Sequence, residues 1–264
     1  MKTILLAGGS GYIGTVLTEL LQEAGHQEKI LDGFFFGKQR ITPLINGRAP
    51  ELIKADTRDV TPAVFEGVDV VMDLSGLSND PSCDLDPSLT RSVNLDGTVA
   101  VAKAAKAAGV PQIIFSSSCS VYGEKGQSKE LNEESPFNPV SLYAEMKIAG
   151  EQALNEMADD DFTVTHLRHG TVYGLSYRMR FDLVINIMAL HAYNKRKIWV
   201  MGGGRQWRPI VHVRDVARAF VTVMEAPRDQ IQLEAFNVGS NEQNYQVIQI
   251  ARMVREVFPY AELD

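Results

Sequence analysis

Thr3-Ile4-Leu5-Leu6-Ala7-Gly8-Gly9-Ser10-Gly11-Tyr12-Ile13-Gly14 decides the fold. The first five residues form an apolar run of strand length. From Ile13 onward the period changes: Ile13, Val16, Leu17, Leu20, Leu21 and Ala24 recur at helical spacing, and Gly25 is a natural stop. The stretch therefore reads as strand, glycine turn, helix. The glycines satisfy Gly9-x-Gly11-x-x-Gly14 and Gly8-x-x-Gly11-x-x-Gly14 at once. Side chains at such a turn would keep a diphosphate away from the backbone, and the helix start offers free N–H groups to its oxygens. An ordinary tight turn is the plainer alternative; the strand before it and the helix after it favour the dinucleotide reading. That reading takes Gly8, Gly11, Tyr12, Ile13 and Gly14 as cofactor contacts.

Working outward, Lys29-Ile30-Leu31-Asp32 is a second strand ending in an acid, 18 positions beyond Gly14. A carboxylate there accepts the adenosine ribose hydroxyls and repels a 2′-phosphate, so NAD is expected over NADP. Lys38 and Arg40 soften that preference. Third and fourth strands follow at Leu52–Thr57 and Val68–Leu74, the latter running into Ser75-Gly76. Asp86-Pro87-Ser88 opens a long helix, capped by Asp86, that passes Asn94 and stops at Gly109. Asn94 is either a surface residue or a buried one that locks the neighbouring backbone. The fifth strand, Gln112–Phe115, runs into Ser116-Ser117-Ser118-Cys119. Ser141 is a candidate cap for the next helix, which carries Tyr143 and Lys147, and Phe162–Arg168 is the sixth strand. Strands alternating with helices imply a parallel sheet with ligands at its carboxyl ends. Residues 1–174 are expected to form this domain. Residues 175–264, with Arg178, Arg180, Arg205 and Arg208 and a short strand at Phe236-Asn237-Val238, are expected to form a smaller substrate-binding portion interleaved with it.

Composition narrows the classes. The 264 residues suffice for one large domain or two small ones, and the 45% hydrophobic fraction supports a substantial core. A net charge of −7 argues against a nucleic-acid partner. No apolar run is long enough for a membrane span, and the opening residues lack a secretory pattern. The two cysteines, Cys83 and Cys119, have no metal-ligand spacing, so no metal is expected and a reducing cytoplasm is the default location.

The chemistry rests on Ser118, Tyr143 and Lys147. A tyrosine works as a base near neutral pH only when its phenolate is stabilised, and a lysine four residues on supplies charge on the same helix face. A serine hydroxyl at the end of the fifth strand holds the same substrate oxygen. The Tyr-x-x-x-Lys spacing recurs at Tyr193 and Lys197. No serine-rich strand end precedes that second copy, so it reads as solvated surface.

With Trp207-Arg208-Pro209-Ile210-Val211-His212-Val213 added, these motifs resemble the extended short-chain dehydrogenase/reductases over nearly the whole chain. More narrowly, they resemble the NAD-dependent epimerase/dehydratase family acting on nucleotide sugars. The resemblance implies an α/β Rossmann fold, a doubly wound parallel sheet with a smaller C-terminal substrate-binding portion. It implies NAD, a nucleotide-diphosphate sugar oxidised at C4, and a homodimer built on the helices starting near Pro87 and Ser141. It implies that Asp56 and Thr57 flank the adenine, and that Leu74, Ser75 and Gly76 line the cofactor with Asn94 and Ser116. Lys147 would also bind the nicotinamide ribose. Ser118, Tyr143 and Thr171 would contact the sugar, and Asn186 and Arg208 the diphosphate. Three departures matter. Cys119 and Ser120 stand where 4,6-dehydratases carry an acid pair. The cysteine that 3,5-epimerases carry two residues after the serine is here Ser120. Thr171 replaces a frequent asparagine. The chain is also shorter than most relatives, with the last strand and helix of the substrate portion expected to be absent. A 4-epimerase is the reading these departures leave, with a C4 dehydrogenase or reductase next, a 4,6-dehydratase less favoured, and an NAD-binding regulatory module as the non-enzyme alternative.

Overall fold

The computed structural model describes residues 1–38, 41, 48–78, 80–123 and 131–264. Arg40, expected near the ribose, lies outside the described residues. The core is a seven-stranded parallel sheet of β1 (Thr3–Ala7), β2 (Gln27–Asp32), β3 (Glu51–Lys54), β4 (Val70–Asp73), β5 (Gln112–Ser118), β6 (Thr163–His169) and, later in the chain, β10 (Glu234–Val238). Their spatial order is β10-β6-β5-β4-β1-β2-β3. The chain thus winds outward from β1 to β3, then reverses from β4, as a Rossmann doubly wound sheet does. The switch point between β1 and β4 opens a crevice at their carboxyl ends.

Each face of the sheet is closed by an apolar layer. On one, Ile4, Leu6, Met72 and Leu167 meet Val16, Leu17 and Leu21 of α1 (Tyr12–Glu23) and Val216 and Phe220 of α7 (Val213–Glu225). On the other, Leu5, Val71, Ile113 and Phe115 meet Val101 and Ala105 of α4 (Gly97–Ala107) and Leu154 of α5 (Leu142–Asn155). These are the residues that the helical and strand periods bring to one side. Each fully buried Leu or Phe contributes about 1.5–3 kcal/mol.

The long helix expected from Asp86 to Gly109 is a correction. A separate helix, α2 (Asp80–Leu85), precedes it, and α3 (Pro87–Arg91) passes through one π-helical turn, Ser92–Asp96, before α4 begins. Asp86 does cap α3, accepting from the Leu89 N–H at 3.0 Å. The π turn contains Asn94, which is buried.

Beyond residue 174 the chain interleaves. Its α7 and β10 return to the large sheet, with β10 parallel to β6. The short strand read at Phe236-Asn237-Val238 is therefore the seventh strand of the main sheet. A smaller lobe gathers α6 (Val184–Lys195), α8 (Val247–Val257) and β8 (Lys197–Ile198) around Met188, Ile198, Ile250 and Val254. There β12 (Glu262–Leu263) pairs with β8, while β7 (Thr171–Tyr173), β9 (Trp207–His212) and β11 (Asn244–Gln246) form a three-stranded sheet.

Candidate active site

The glycine turn is built for close approach. Gly8 has φ +74°, and a Cβ there would lie 2.8 Å from Ser75 Cα across the switch point. A Cβ on Gly14 would lie 2.4 Å from the Gly9 carbonyl oxygen. Gly11 is the N-cap of α1 and supplies no side-chain cap, leaving the first N–H groups of the helix open to an anion. Ile13 packs against the α1–α7 layer. Tyr12 points the other way: its hydroxyl donates to the Gly174 carbonyl at 2.6 Å and accepts from Asn186 at 3.1 Å.

Asp32 ends β2 and accepts from the Ser10 N–H at 3.1 Å and the Phe34 N–H at 2.7 Å, which fixes its carboxylate beside the turn. Asp56 is gripped by Arg58, whose hydrogen bonds hold its carboxyl at about 2 against a small burial penalty. Thr57 lies against Gly97, at the start of α4. Leu74, Ser75 and Gly76 leave β4 over a buried Asp73, whose Oδ1 accepts from both the N–H and the hydroxyl of Ser75. Asn94 clasps the next residue: it accepts from the Leu77 N–H at 2.7 Å and donates to the Leu77 carbonyl at 2.9 Å. It is the buried, backbone-locking asparagine and not a surface residue.

Tyr143 and Lys147 occupy the first two turns of α5, which starts on a Ser141 cap accepting from the Ala144 N–H at 3.3 Å. Ser118, the last residue of β5, lies close enough to Tyr143 for its hydroxyl to favour the ionised phenol. Lys147 Nζ lies 5.7 Å from the centre of the Tyr143 ring and donates to the Ser116 carbonyl at 2.7 Å. Burial pushes the phenol up to about 12, opposed by the Arg180 charge and the Ser118 hydroxyl. Burial pushes the Lys147 ammonium down to about 8, opposed by Asp73 and Glu151. Both shifts favour neutral groups, as expected of a closed, low-dielectric site.

Arg208, on β9, is close enough for its charge to act on the Cys119 thiol, beside Ser118. Burial nonetheless pushes that thiol up to about 11, so Cys119 stays protonated. Thr171 lies on β7, in register with Ile210. Asn186 is buried where the small lobe meets α1. Its amide accepts from the Gly174 N–H and donates to Tyr12 Oη and the Arg180 carbonyl, so it ties the lobe to α1. The second Tyr-Lys pair is on the surface: Tyr193 is 70% exposed and Lys197 pairs with Asp264.

Three further groups were given no individual role by the sequence. His169 ends β6 opposite Ser118, with Nε2 2.9 Å from Ser116 Oγ; burial and the Lys147 charge push it down to about 4. Arg180 donates to Ser78 and to Asp182, and its charge acts on Tyr12, Tyr143 and His169. A buried Glu151–Arg168 pair holds α5 to β6. No spacing rule links positions 78, 143 and 180; only Arg180's place in an arginine-rich segment hinted at it. A separate cavity of about 770 Å³ lies between α7, β9 and β10, lined by residues such as Val223, Phe236 and Ser240; none of Ser118, Tyr143 and Lys147 lines it.

Comparison with known proteins agrees with this geometry. Residues 4–239 match the model of the NAD dependent epimerase/dehydratase family. The chain is 34% identical over 229 residues to a UDP-glucose 4-epimerase of Mycolicibacterium smegmatis, spanning 84% of this chain and 72% of that one. It is 28% identical over 262 residues to a UDP-glucuronic acid decarboxylase 1 of Xenopus tropicalis, spanning 97% of this chain but only 60% of the decarboxylase. The structure of a Thermus thermophilus UDP-glucose 4-epimerase in complex with NAD is similar with a TM-score of 0.86 at 25% identity, over 99% of this chain and 85% of that one. With residues 4–239 inside the family model and the same fold throughout, this chain belongs to the NAD-dependent epimerase/dehydratase family.

Proposed function

We propose that the protein binds NAD and a nucleotide-diphosphate sugar and inverts the sugar at C4. The observation that carries the reading is the convergence of Ser118, at the end of β5, with Tyr143 and the buried Lys147 of α5, whose Nζ lies 5.7 Å from the Tyr143 ring and donates to the Ser116 carbonyl. The residues present fit a dinucleotide. The open N–H groups of α1 and the fixed Asp32 carboxylate flank a turn whose Gly8 admits no Cβ, because the Ser75 backbone lies 2.8 Å from where it would stand. Gly8 to Gly14 would take the diphosphate, Asp32 the ribose hydroxyls, Asp56 and Thr57 the adenine side. Leu74 to Gly76, fixed by Asn94, would line the nicotinamide half with Ser116. NAD, when bound, supplies the hydride acceptor and returns the hydride.

The chain's own residues handle the proton. Tyr143, as phenolate, accepts the proton of the C4 hydroxyl while Ser118 donates a hydrogen bond to the same oxygen. Lys147 holds positive charge beside the phenolate and meets the nicotinamide ribose. After the ketone has turned over in the site, Tyr143 returns the proton. Thr171 and Arg208 are assigned to the sugar nucleotide, with Arg208 suited to phosphate oxygens. Asn186 contributes by holding that lobe in place. At the two positions after Ser118, Cys119 stays protonated and Ser120 carries only a hydroxyl, so no ionised group stands there to move a C5 proton. That supports C4 chemistry over dehydration.

Incubation with UDP-, GDP- and dTDP-sugars and NMR of the products tests the reading. C4 epimers are expected; loss of water or carbon dioxide from the sugar would overturn it, and stoichiometric NADH would point to a dehydrogenase. The same reading carries a homodimer through the outer faces of α3 and α5, where Leu89 is exposed; a monomeric mass in light scattering would remove that part.

A further inference from the structure

Three consecutive phenylalanines, Phe34, Phe35 and Phe36, follow the Asp32 carboxylate, and the last two stay largely exposed. The turn that carries them is fixed. The Phe34 N–H donates to Asp32 at 2.7 Å, Phe34 takes φ +53°, and the Gly37 N–H closes on the Phe34 carbonyl at 3.0 Å. A second segment is fixed on the other side of the glycine turn. The buried Ser176 donates from its hydroxyl to the Tyr12 carbonyl at 2.7 Å and lies 2.9 Å from Thr15 Oγ1. The Arg178 N–H donates to that same Ser176 hydroxyl at 3.3 Å. One contact joins the two segments: the Arg178 guanidinium lies over the Phe36 ring, 3.7 Å from its centre. The inner anchors stand on either side of Gly11. One is Ser10, whose N–H donates to Asp32; the other is Tyr12. The contacts therefore form a closed ring that begins and ends on the glycine turn, and Phe36–Arg178 is its outermost link.

We propose that the Phe36–Arg178 bridge is the gate of the dinucleotide site: it closes the outer side of the glycine turn, and the cofactor enters and leaves when the bridge opens. The proposal rests on the reading of that turn as the cofactor cradle. The arrangement suits the chemistry inferred for the site. Inversion at C4 returns the hydride to the sugar it came from, so one cofactor molecule serves successive turnovers and is held. A dehydrogenase must exchange its cofactor every time. An arginine on an aromatic face also suits a gate. The planar guanidinium stacks on the ring, and an exposed pair of this type is weak enough to open, slowing passage by about three- to fivefold. Lys38 braces the base of the same turn, with Nζ 4.9 Å from the centre of the Phe34 ring. A bridge present in both the free and the loaded protein acts on the two rates of exchange and leaves the equilibrium between them nearly unchanged.

The test follows NADH fluorescence with the whole protein: stopped-flow mixing gives the association rate, and a chase with excess NAD gives the release rate. Phe36→Ala, Arg178→Ala and the double variant are compared with the parent, with thermal melts to confirm folding. Each single variant is expected to raise both rates by about three- to fivefold and to leave Kd within about twofold of the parent. The double variant should be no faster than either single one, because both substitutions remove the same contact. Arg178→Lys, which keeps the charge and loses the planar stack, should fall between the parent and Arg178→Ala. Faster release with an unchanged association rate would make the two residues ordinary cofactor contacts and overturn the gate. Unchanged rates would overturn it too, as would single effects that multiply in the double variant. If an alanine variant does not fold, Phe36→Leu and Arg178→Lys carry the same comparison. A parent protein that binds no NADH would sink the cofactor reading and the gate with it. Bound NADH with rates indifferent to both residues sinks the gate alone.

Discussion

At the scale of the residue, Tyr143 separates an enzyme from a binding module. Tyr143→Phe keeps the ring that packs near Lys147 and removes the one group able to take the proton. Turnover is expected to fall by about 10²- to 10⁴-fold while NAD affinity holds, as measured by steady-state kinetics and calorimetry. Undiminished turnover would return Tyr143 to a structural role. Two histidines set the acid limit of stability. Burial pushes His166 and His169 down to about 4. Nε2 of His166 lies 2.8 Å from Asn155 Oδ1, an acceptor, so the neutral ring carries its proton there. A depressed folded value means that the unfolded chain binds the proton first. The stabilisation is therefore complete above about pH 6.5 and is lost as pH falls toward 4. Melting temperature should drop through that window, and His166→Gln should flatten the drop; an unchanged slope would show that other groups control it.

At the scale of the element, α5 is the working part. Ser141 caps it, and Tyr143 sits in its first turn, where fraying is felt first. Ser141→Ala is expected to cost about 1 kcal/mol and to lower kcat more than KM, since the cap positions the phenol but touches no substrate. Denaturant melts and kinetics on one preparation check both parts. The cap, the glycine turn and the Tyr-Lys spacing were legible because each is local: a few adjacent residues carry the whole signal. The π turn at Ser92–Asp96 was not, because a single wide turn inside a helix has no residue-type signature of its own. Yet that turn delivers Asn94 to Leu77, and so fixes the loop on which Ser78 meets Arg180.

At the scale of the molecule, two tethers hold the site. One is the buried Glu151–Arg168 pair, with Ser117 and Tyr122 also bound to it, which joins α5, β5 and β6. Burial works against Glu151's charge, but the Arg168 fork outweighs it and keeps the carboxyl ionised. Glu151→Gln leaves Arg168 buried and uncompensated, and a loss of about 3–5 kcal/mol is expected in chemical denaturation. A loss under 1 kcal/mol would mean that water reaches the pair. The other tether is the Tyr12–Gly174–Asn186 knot with the Arg180 clasp, which joins the small lobe to the glycine turn. Among the described residues no helix is long and apolar enough to cross a membrane.

The amino-acid order by itself determined the parallel sheet, the glycine turn between β1 and α1, the Ser141-capped helix and the placing of Tyr143 and Lys147 on one face of it. Each depends on neighbours within a turn or on one repeating period, and such signals survive without knowing what packs where. Only the tertiary structure decided that β10 closes the main sheet, that Asn186 ties the small lobe to Tyr12, and that Arg180 meets Ser78. Those contacts join positions up to 174 residues apart, and their partners are selected by sheet order and lobe docking, which no local spacing encodes.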